Sequence, residues 1–269
     1  MVVGSEGGDI IAVRAADGSS AWRRALGGGA VLGSVLVADA VVYVGGESGS
    51  LFALDAASGS VVWSLPVGGA VTRGASTSGG VVYVGTAGGR LSAVDIATRA
   101  VRWAVELGSG EIGTPSIGGG LIYVGRGLLA GGGPHDLVTL DVTDGSIEWS
   151  FASPAGEQVH MGGLADGRVY AVSEDGNVYG LDAASGAVIW TAATGGRVTT
   201  LIAIVGDTVY ATSEDRTVRA LDAGTGTERW AVDVTGHPTM AAVVDGKVFV
   251  GTDLGRVIAI GGSTAAEAP

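Results

Sequence analysis

Three histidines, His135, His160 and His237, are all that this chain of 269 residues offers for imidazole chemistry, and it has no cysteine. When the internal repeats described below are aligned, His160 and His237 fall at the same stage of the repeat as Arg73, Glu111, Gln158 and Arg197. His135 lies in the one insertion, Gly127 to Asp136, on the same side of the repeat. Guanidinium and imidazolium groups gathered at one mouth could hold a small anion or an acidic peptide, because low-dielectric walls focus the field of a few cations. Such a grip would tighten between pH 8 and pH 6, as histidine takes up its proton. A three-histidine metal site is the less economical reading, since the residues come from separate segments without close ligand spacing. The competing structural reading is that polar residues at these positions satisfy backbone groups along a wet channel.

Other chemistry is hard to find. No serine sits in the G-x-S-x-G elbow that exposes a nucleophile. Gly246-Lys247 lacks the upstream glycine of a phosphate loop, and no H-E-x-x-H occurs. The clusters Gly27 to Gly29 and Gly131 to Gly133 have no helix after them, so they read as turns. Without cysteine there are no disulfides, no thiolate catalysis and no Cys-based zinc sites.

The elements that must position these residues are written in a repeat. Trp22, Trp63, Trp103, Trp149, Trp190 and Trp230 follow one another at steps of 41, 40, 46, 41 and 40 residues. Each closes a similar passage, as in VVYVGGESGSLFALDAASGSVVW at 41–63 and VVYVGTAGGRLSAVDIATRAVRW at 81–103. The apolar period inside each passage is two, and Gly, Ser, Asp and Asn separate the runs, which predicts short antiparallel strands. A further run precedes each passage, such as Val71 to Thr77 or Val198 to Val205. Four strands per 40 residues is the period of a propeller blade. The 50 glycines would penalise helices, so the fold class is all-β.

At this point a family resemblance emerges. Ala53-Leu54-Asp55-Ala56-Ala57-Ser58-Gly59 leading to Trp63, and Ala220-Leu221-Asp222-Ala223-Gly224-Thr225-Gly226 leading to Trp230, resemble the tryptophan-docking motif of quinoprotein-like, PQQ-type β-propellers. Asp95, Asp141 and Asp182 hold the aspartate position in the other copies, with Gly180 standing for the leading alanine before Asp182. The resemblance covers essentially the whole chain and implies that the tryptophan rings are buried between adjacent blades. Arg14 replaces the aspartate in the first copy and Arg99 the glycine in the third, so those two turns are expected to be less well held. Quinone dehydrogenases of this resemblance use an axial Trp, vicinal cysteines and a calcium held by Glu, Asn and Asp. Here the repeat uses every Trp, and the only Asn, Asn177, sits in a tight turn, so no quinone, metal or other cofactor is assigned.

Naming the strands A to D, with Trp on D, the first copy has no A and the last no D. The total is 26 strands, two short of seven four-stranded blades. The expectation is a seven-bladed propeller with incomplete first and last blades over 1–262, a disordered tail over 263–269, and a natural N-terminus further upstream; an eight-bladed parent is the alternative. The segment Arg256 to Ile260 would then expose an unpaired edge, and a chain extended upstream by about 25 residues should associate less. No signal peptide and no run of roughly 20 apolar residues is present. The formal charge of −12 argues against nucleic acid as a partner.

The function expected from this reading is a bacterial, non-enzymatic binding scaffold. It resembles the propeller of the outer-membrane assembly lipoprotein or the sensor propellers of kinases. Its partner would be a protein, a peptide or a small anion, and its location the periplasm or cell surface, with the cytoplasm as alternative. The alternative function is a quinoprotein dehydrogenase or a lyase-like propeller enzyme.

Overall fold

The computed structural model describes residues 1–27, 29–31, 33–127 and 134–261. The proposed tail, 263–269, lies outside the described residues. Among those residues there are 26 strands in seven antiparallel sheets and no helix. The chain divides into two compact units, Met1–Ser150 with the first four sheets and Phe151–Pro269 with the last three.

The second sheet shows how the sequence builds each of them. Strand A (Leu36–Ala38), B (Val41–Gly45), C (Ser50–Asp55) and D (Val61–Pro66) lie side by side in that order. Asp39 and Ala40 turn A into B, both with positive φ. Two consecutive positive-φ residues make the hairpin whose twist matches the strands, which is why Gly-Gly and Asp-Gly recur at this point in other copies. The first sheet has only Val2–Gly4, Asp9–Val13 and Ser20–Ala25, and the last only Pro238–Val244, Lys247–Thr252 and Val257–Ile260. Val257–Ile260 pairs with Lys247–Thr252 on one side, and among the described residues no strand pairs with its other side.

Strand A is shorter than the sequence suggests. Only Ser76–Ser78 and Ala203–Val205 pair with strand B, although the apolar runs begin at Val71 and Val198. Those early residues are apolar because they plug the space between sheets, with Val71 and Val198 buried, and not because they extend the ladder.

In the five four-stranded sheets strands B and C are buried on both faces, and each apolar cluster spans two consecutive sheets. Ile10 packs with Val42, Val44 and Leu54; Tyr43, Leu51 and Ala53 pack with Val82, Val84 and Val94; Val172 and Val178 pack with Val209 and Leu221. No sheet therefore has a core of its own, which is the physical logic of repeat folds.

The tryptophans bind consecutive sheets together. Trp22 donates its indole N–H to Ala56 O of the next sheet (2.9 Å), Trp103 to Val142 O (3.1 Å) and Trp190 to Ala223 O (3.1 Å). In each case the acceptor directly follows the motif aspartate, and the ring lies on the motif glycine. A Cβ on Gly59 would come within 2.5 Å of the Trp22 ring, and one on Gly226 within 2.5 Å of Trp190. These glycines also have φ near +70°, so both close approach and backbone conformation call for glycine. Tyrosines of strand B sit beside the tryptophans at ring-centroid distances of 5.9–6.0 Å.

The expectation that the docking tryptophans are buried holds only for Trp190, which is 7% exposed; Trp63, Trp103, Trp149 and Trp230 are half-buried, as is Trp22. The outer strand lies at the sheet edge, where one flank of the ring meets water. Trp190 sinks deeper because its cross-strand partner is Gly180, whose missing side chain leaves the room that a Cβ, 2.3 Å from the ring, would take.

The two irregular turns are held in different ways. In the first copy Asp17 replaces the lost aspartate by accepting from the Ser19 amide (2.9 Å), and Arg14 donates to Ser20 O (2.9 Å). In the third copy Arg99 takes the glycine's place with φ 58°, and Arg102 braces Asp95 from outside. The turn closes, but among the described residues neither Trp63 nor Tyr43 donates a hydrogen bond to it, so the second and third sheets are joined without the tie that Trp22, Trp103 and Trp190 make.

The motif aspartates accept from the turn amides three residues on: Ser58 N to Asp55 (2.8 Å), Thr98 N to Asp95 (2.7 Å), Ser185 N to Asp182 (2.9 Å) and Thr225 N to Asp222 (2.9 Å); in the fourth sheet Thr143 N donates to Asp141 (2.6 Å). These bonds favour the carboxylate. The Thr98 amide, with Arg102, lowers the Asp95 pKa to about 2, and the Arg229 guanidinium, with Thr225, lowers that of Asp222 to about 2.

Replacing Trp190 with Ala should cost roughly 3–5 kcal/mol and replacing half-buried Trp63 distinctly less. Arg99→Gly should raise stability by up to about 1 kcal/mol by removing the left-handed strain; urea unfolding of the three variants checks the order. Because Asp95 and Asp222 titrate lower in the fold than in the unfolded chain, their contribution is present above about pH 4 and lost as pH falls toward 2. The urea midpoint should decline over that window, and less steeply in the double variant D95N/D222N.

Candidate functional site

The segment between strand D of one sheet and strand A of the next lies against the B–C turns of both. Val71 N donates to Gly46 O (3.1 Å) behind it, and Ala87 N donates to Ala70 O (2.8 Å) ahead of it. The same stitching recurs in the second unit, from Val198 N to Ser173 O (3.1 Å) and from Glu214 N to Arg197 O (3.0 Å). Each segment is anchored by a buried residue: Val31, Val71, Ile112, Val159, Val198 or Pro238. Strand B makes room by ending in glycine, as at Gly45, where a Cβ would lie 2.1 Å from Val71.

The position just before the anchor is occupied in turn by Ala30, Ala70, Glu111, Gln158, Arg197 and His237. The fold thus brings four of the predicted site residues to one repeat position. Arg73 and His160 follow their anchors, by two residues and one. Apart from His160, which opens Val159–Ala165, they precede the strand A they were expected to begin.

In the first unit Glu111 is 2% exposed. It accepts from Arg73 Nε (2.8 Å) and from the Thr72 hydroxyl, a group that sequence reasoning did not single out. His135 Nδ1 is 3.1 Å from Gly127 O at the base of the insertion, whose residues 128–133 lie outside the described residues. Arg126 and Asp136 clamp that base with two bonds of 2.5 and 2.9 Å, and Arg126 also donates to Leu107 O (2.8 Å).

In the second unit Glu174 is the centre. Arg197 forms an ion pair with its Oε2, and His160 Nε2 lies 3.8 Å from its Oε1. Gln158 is buried and donates to Val159 O (3.2 Å), while exposed His237 gives its backbone amide to Asp253 (2.8 Å). Glu174, Asp175, Gly176 and Asn177 line an open hollow of about 500 Å³ with Ala193, Gly195, Gly196 and Arg197.

A locally basic mouth is not what this geometry provides. Arg73 and Arg197 are each spent on a glutamate. The B–C turns bring further acids: the amides of Glu47, Glu174, Glu214 and Asp253 bond to the carbonyls of Ala30, Gln158, Arg197 and His237. Glu174 and Glu214 were hidden in hairpin turns, although the repeated Ser-Glu-Asp at 173–175 and 213–215 is a signal in hindsight.

No group of three His, Asp or Glu side chains suited to a metal occurs among the described residues. The residues also do not fit a quinone. Trp22, Trp103 and Trp190 have their indole N–H groups committed to neighbouring sheets, and Asn177 is bound to Asp175 (3.1 Å) within its turn.

The family model described as outer membrane protein assembly factor BamB matches residues 1–78, 47–163 and 136–268. The chain belongs to the BamB family. BamB from Moraxella catarrhalis has 22% sequence identity and a TM-score of 0.75, over 99% of this chain and 80% of that one. The WD40 β-propeller domain of Doa1 has 16% identity and a TM-score of 0.68, over 96% of this chain and 88% of that domain. A computationally designed protein, Ika8, has 17% identity and a TM-score of 0.61. No curated protein sequence matches significantly. The fold is a β-propeller with PQQ-like repeats, and its seven sheets are consistent with seven blades.

Within this BamB-family propeller the buried pair is the sharper test of the site's construction. Arg73→Ala leaves buried Glu111 with Thr72 as its side-chain partner and should cost about 1–3 kcal/mol. Arg197→Ala, whose partner is nearer water, should cost under about 1 kcal/mol. Thermal unfolding of both variants measures the difference.

Proposed function

We propose that this protein is a non-enzymatic scaffold that holds a protein partner at the end of the propeller where the D–A segments and B–C turns meet. The observation that carries the reading is the BamB-family match, which runs from residue 1 to residue 268. In support, Arg73 and Glu111, and Arg197 and Glu174, are tied into ion pairs and His237 into a turn bond, an arrangement suited to a firm contact surface. Residues 1–262 would act as one propeller domain on the extracytoplasmic side of a bacterial membrane, consistent with the family's description as outer membrane protein assembly factor.

Function at this end suits the scaffold physically, because loops on a rigid frame carry recognition while the frame's own strands are committed to packing. The candidate contact residues are Arg73, Glu111 and His135 in the first unit and Gln158, His160, Arg197 and His237 in the second.

Site-specific photocrosslinking in cells tests the proposal. A photoreactive amino acid at Thr114 or His237 should yield one discrete protein adduct, whereas one at Asp166 or Asp245, in the A–B turns, should yield none. Adducts only from the A–B turns, or a coloured, calcium-dependent quinone complex with dehydrogenase activity, would overturn it.

A further inference from the structure

Within the second unit, three residues at or just before the start of strand A share one repeat position. His160, Leu201 and Met240 each directly precede the buried residue that seats the strand against its sheet: Met161, Ile202 and Ala241. The outcome differs from copy to copy. In the first unit the same position holds Ser34, Gly74 and Thr114, small or polar residues that expose no large apolar side chain. In the second, Leu201 and Met240 are each 52% exposed. Leu254, in the B–C turn of the last sheet, is 59% exposed and comes close to the D–A segment, where a Cβ on Gly236 would lie 3.0 Å from it.

Isolated exposed apolar residues are ordinary on a protein surface. Here they share one end of one unit, and what surrounds them gives the surface a sign. The turn position next to the D–A carbonyls carries Glu174, Glu214 and Asp253. Glu174 is neutralised by Arg197, and Asp215 by Arg219, while Glu214 is exposed and enters no ion pair among the described residues. Arg216 and Arg256 stand in the same turns, but Glu157 and Asp233, also exposed, offset them and leave Glu214 and Asp253 in excess, in a chain of net charge −12.

We propose that this face of residues 151–261 docks an extended segment of a partner protein whose apolar side chains are flanked by lysine or arginine. Leu201, Met240 and Leu254 take the apolar side chains, and Glu214 and Asp253 steer and orient the flanking cations. Complementary charge of this kind sets encounter rate and register, whereas apolar burial holds the complex. The inference rests on the scaffold reading above and narrows it to one partner chemistry.

Fluorescence anisotropy with the full chain tests it against three synthetic decapeptides. One carries two leucines among arginines and lysines, one has glutamates in place of the basic residues, and one keeps the basic residues but has serines for the leucines. The first should bind at least about tenfold more tightly than the other two, and its affinity should fall with added salt. The double variant L201S/M240S should lose about tenfold in affinity with an unchanged melting temperature, since both side chains already face water. Glu214→Arg should weaken binding in low salt chiefly through the on-rate. Equal binding of the basic and acidic leucine peptides, or undiminished binding by L201S/M240S, overturns the inference. If it fails while His237 still crosslinks a discrete partner, only the partner chemistry is wrong; if no position at this end crosslinks, the scaffold reading falls as well.

Discussion

The structure depends on the grip of Trp22, Trp103 and Trp190 on the turn of the following sheet. A four-stranded sheet whose central strands are apolar on both faces cannot be stable in water by itself, because both faces must be covered. The indole does so at the exposed rim, where ring and N–H together need a flat glycine and a carbonyl one residue beyond an aspartate. The aspartate must in turn be ionised to hold the turn amides that aim this carbonyl. Ring, glycine and carboxylate therefore form one device, and spacing of about 40 residues is the length of chain needed to reach from one device to the next.

This explains why the architecture was so legible in the sequence. Asp55 and Gly59, like Asp222 and Gly226, are constrained by charge, backbone angle and contact with the preceding tryptophan at once, so most copies repeat them. The count of 26 strands followed from that repetition. Degree of burial did not follow, because it turns on small differences such as Gly180 against Ala53 beneath the ring. The extent of strand A was also misread: Val71 and Val198 are apolar for plugging and not for pairing, and hydrophobicity does not distinguish the two.

The candidate site was legible in position and illegible in electrostatics. Aligning the copies found Glu111, Gln158, Arg197 and His237, which each directly precede the buried anchor of their own D–A segment. The same alignment could not show that Arg197 would meet Glu174 or Arg73 meet Glu111, since those contacts join residues 23 and 38 positions apart. A residue's charge can be read from a sequence, but its neutralisation requires the partner. Arg73 and Arg197 are structural, and exposed apolar side chains and carboxylates such as Glu214 stand beside them in the same parts of the repeat.

The clamp at Arg126 and Asp136 has a different kind of consequence. Two planar groups joined by paired hydrogen bonds, with a third bond to Leu107 O, fix the two ends of the insertion as firmly as a short hairpin would. The sheet beneath is insulated from whatever lies between those ends, and lengthening a closed loop costs only a slowly growing entropy. Natural variation, or a designer grafting a foreign peptide, can change the sequence and length at this point without retuning the propeller. The clamp makes this the place in the fold where novelty is cheapest to try.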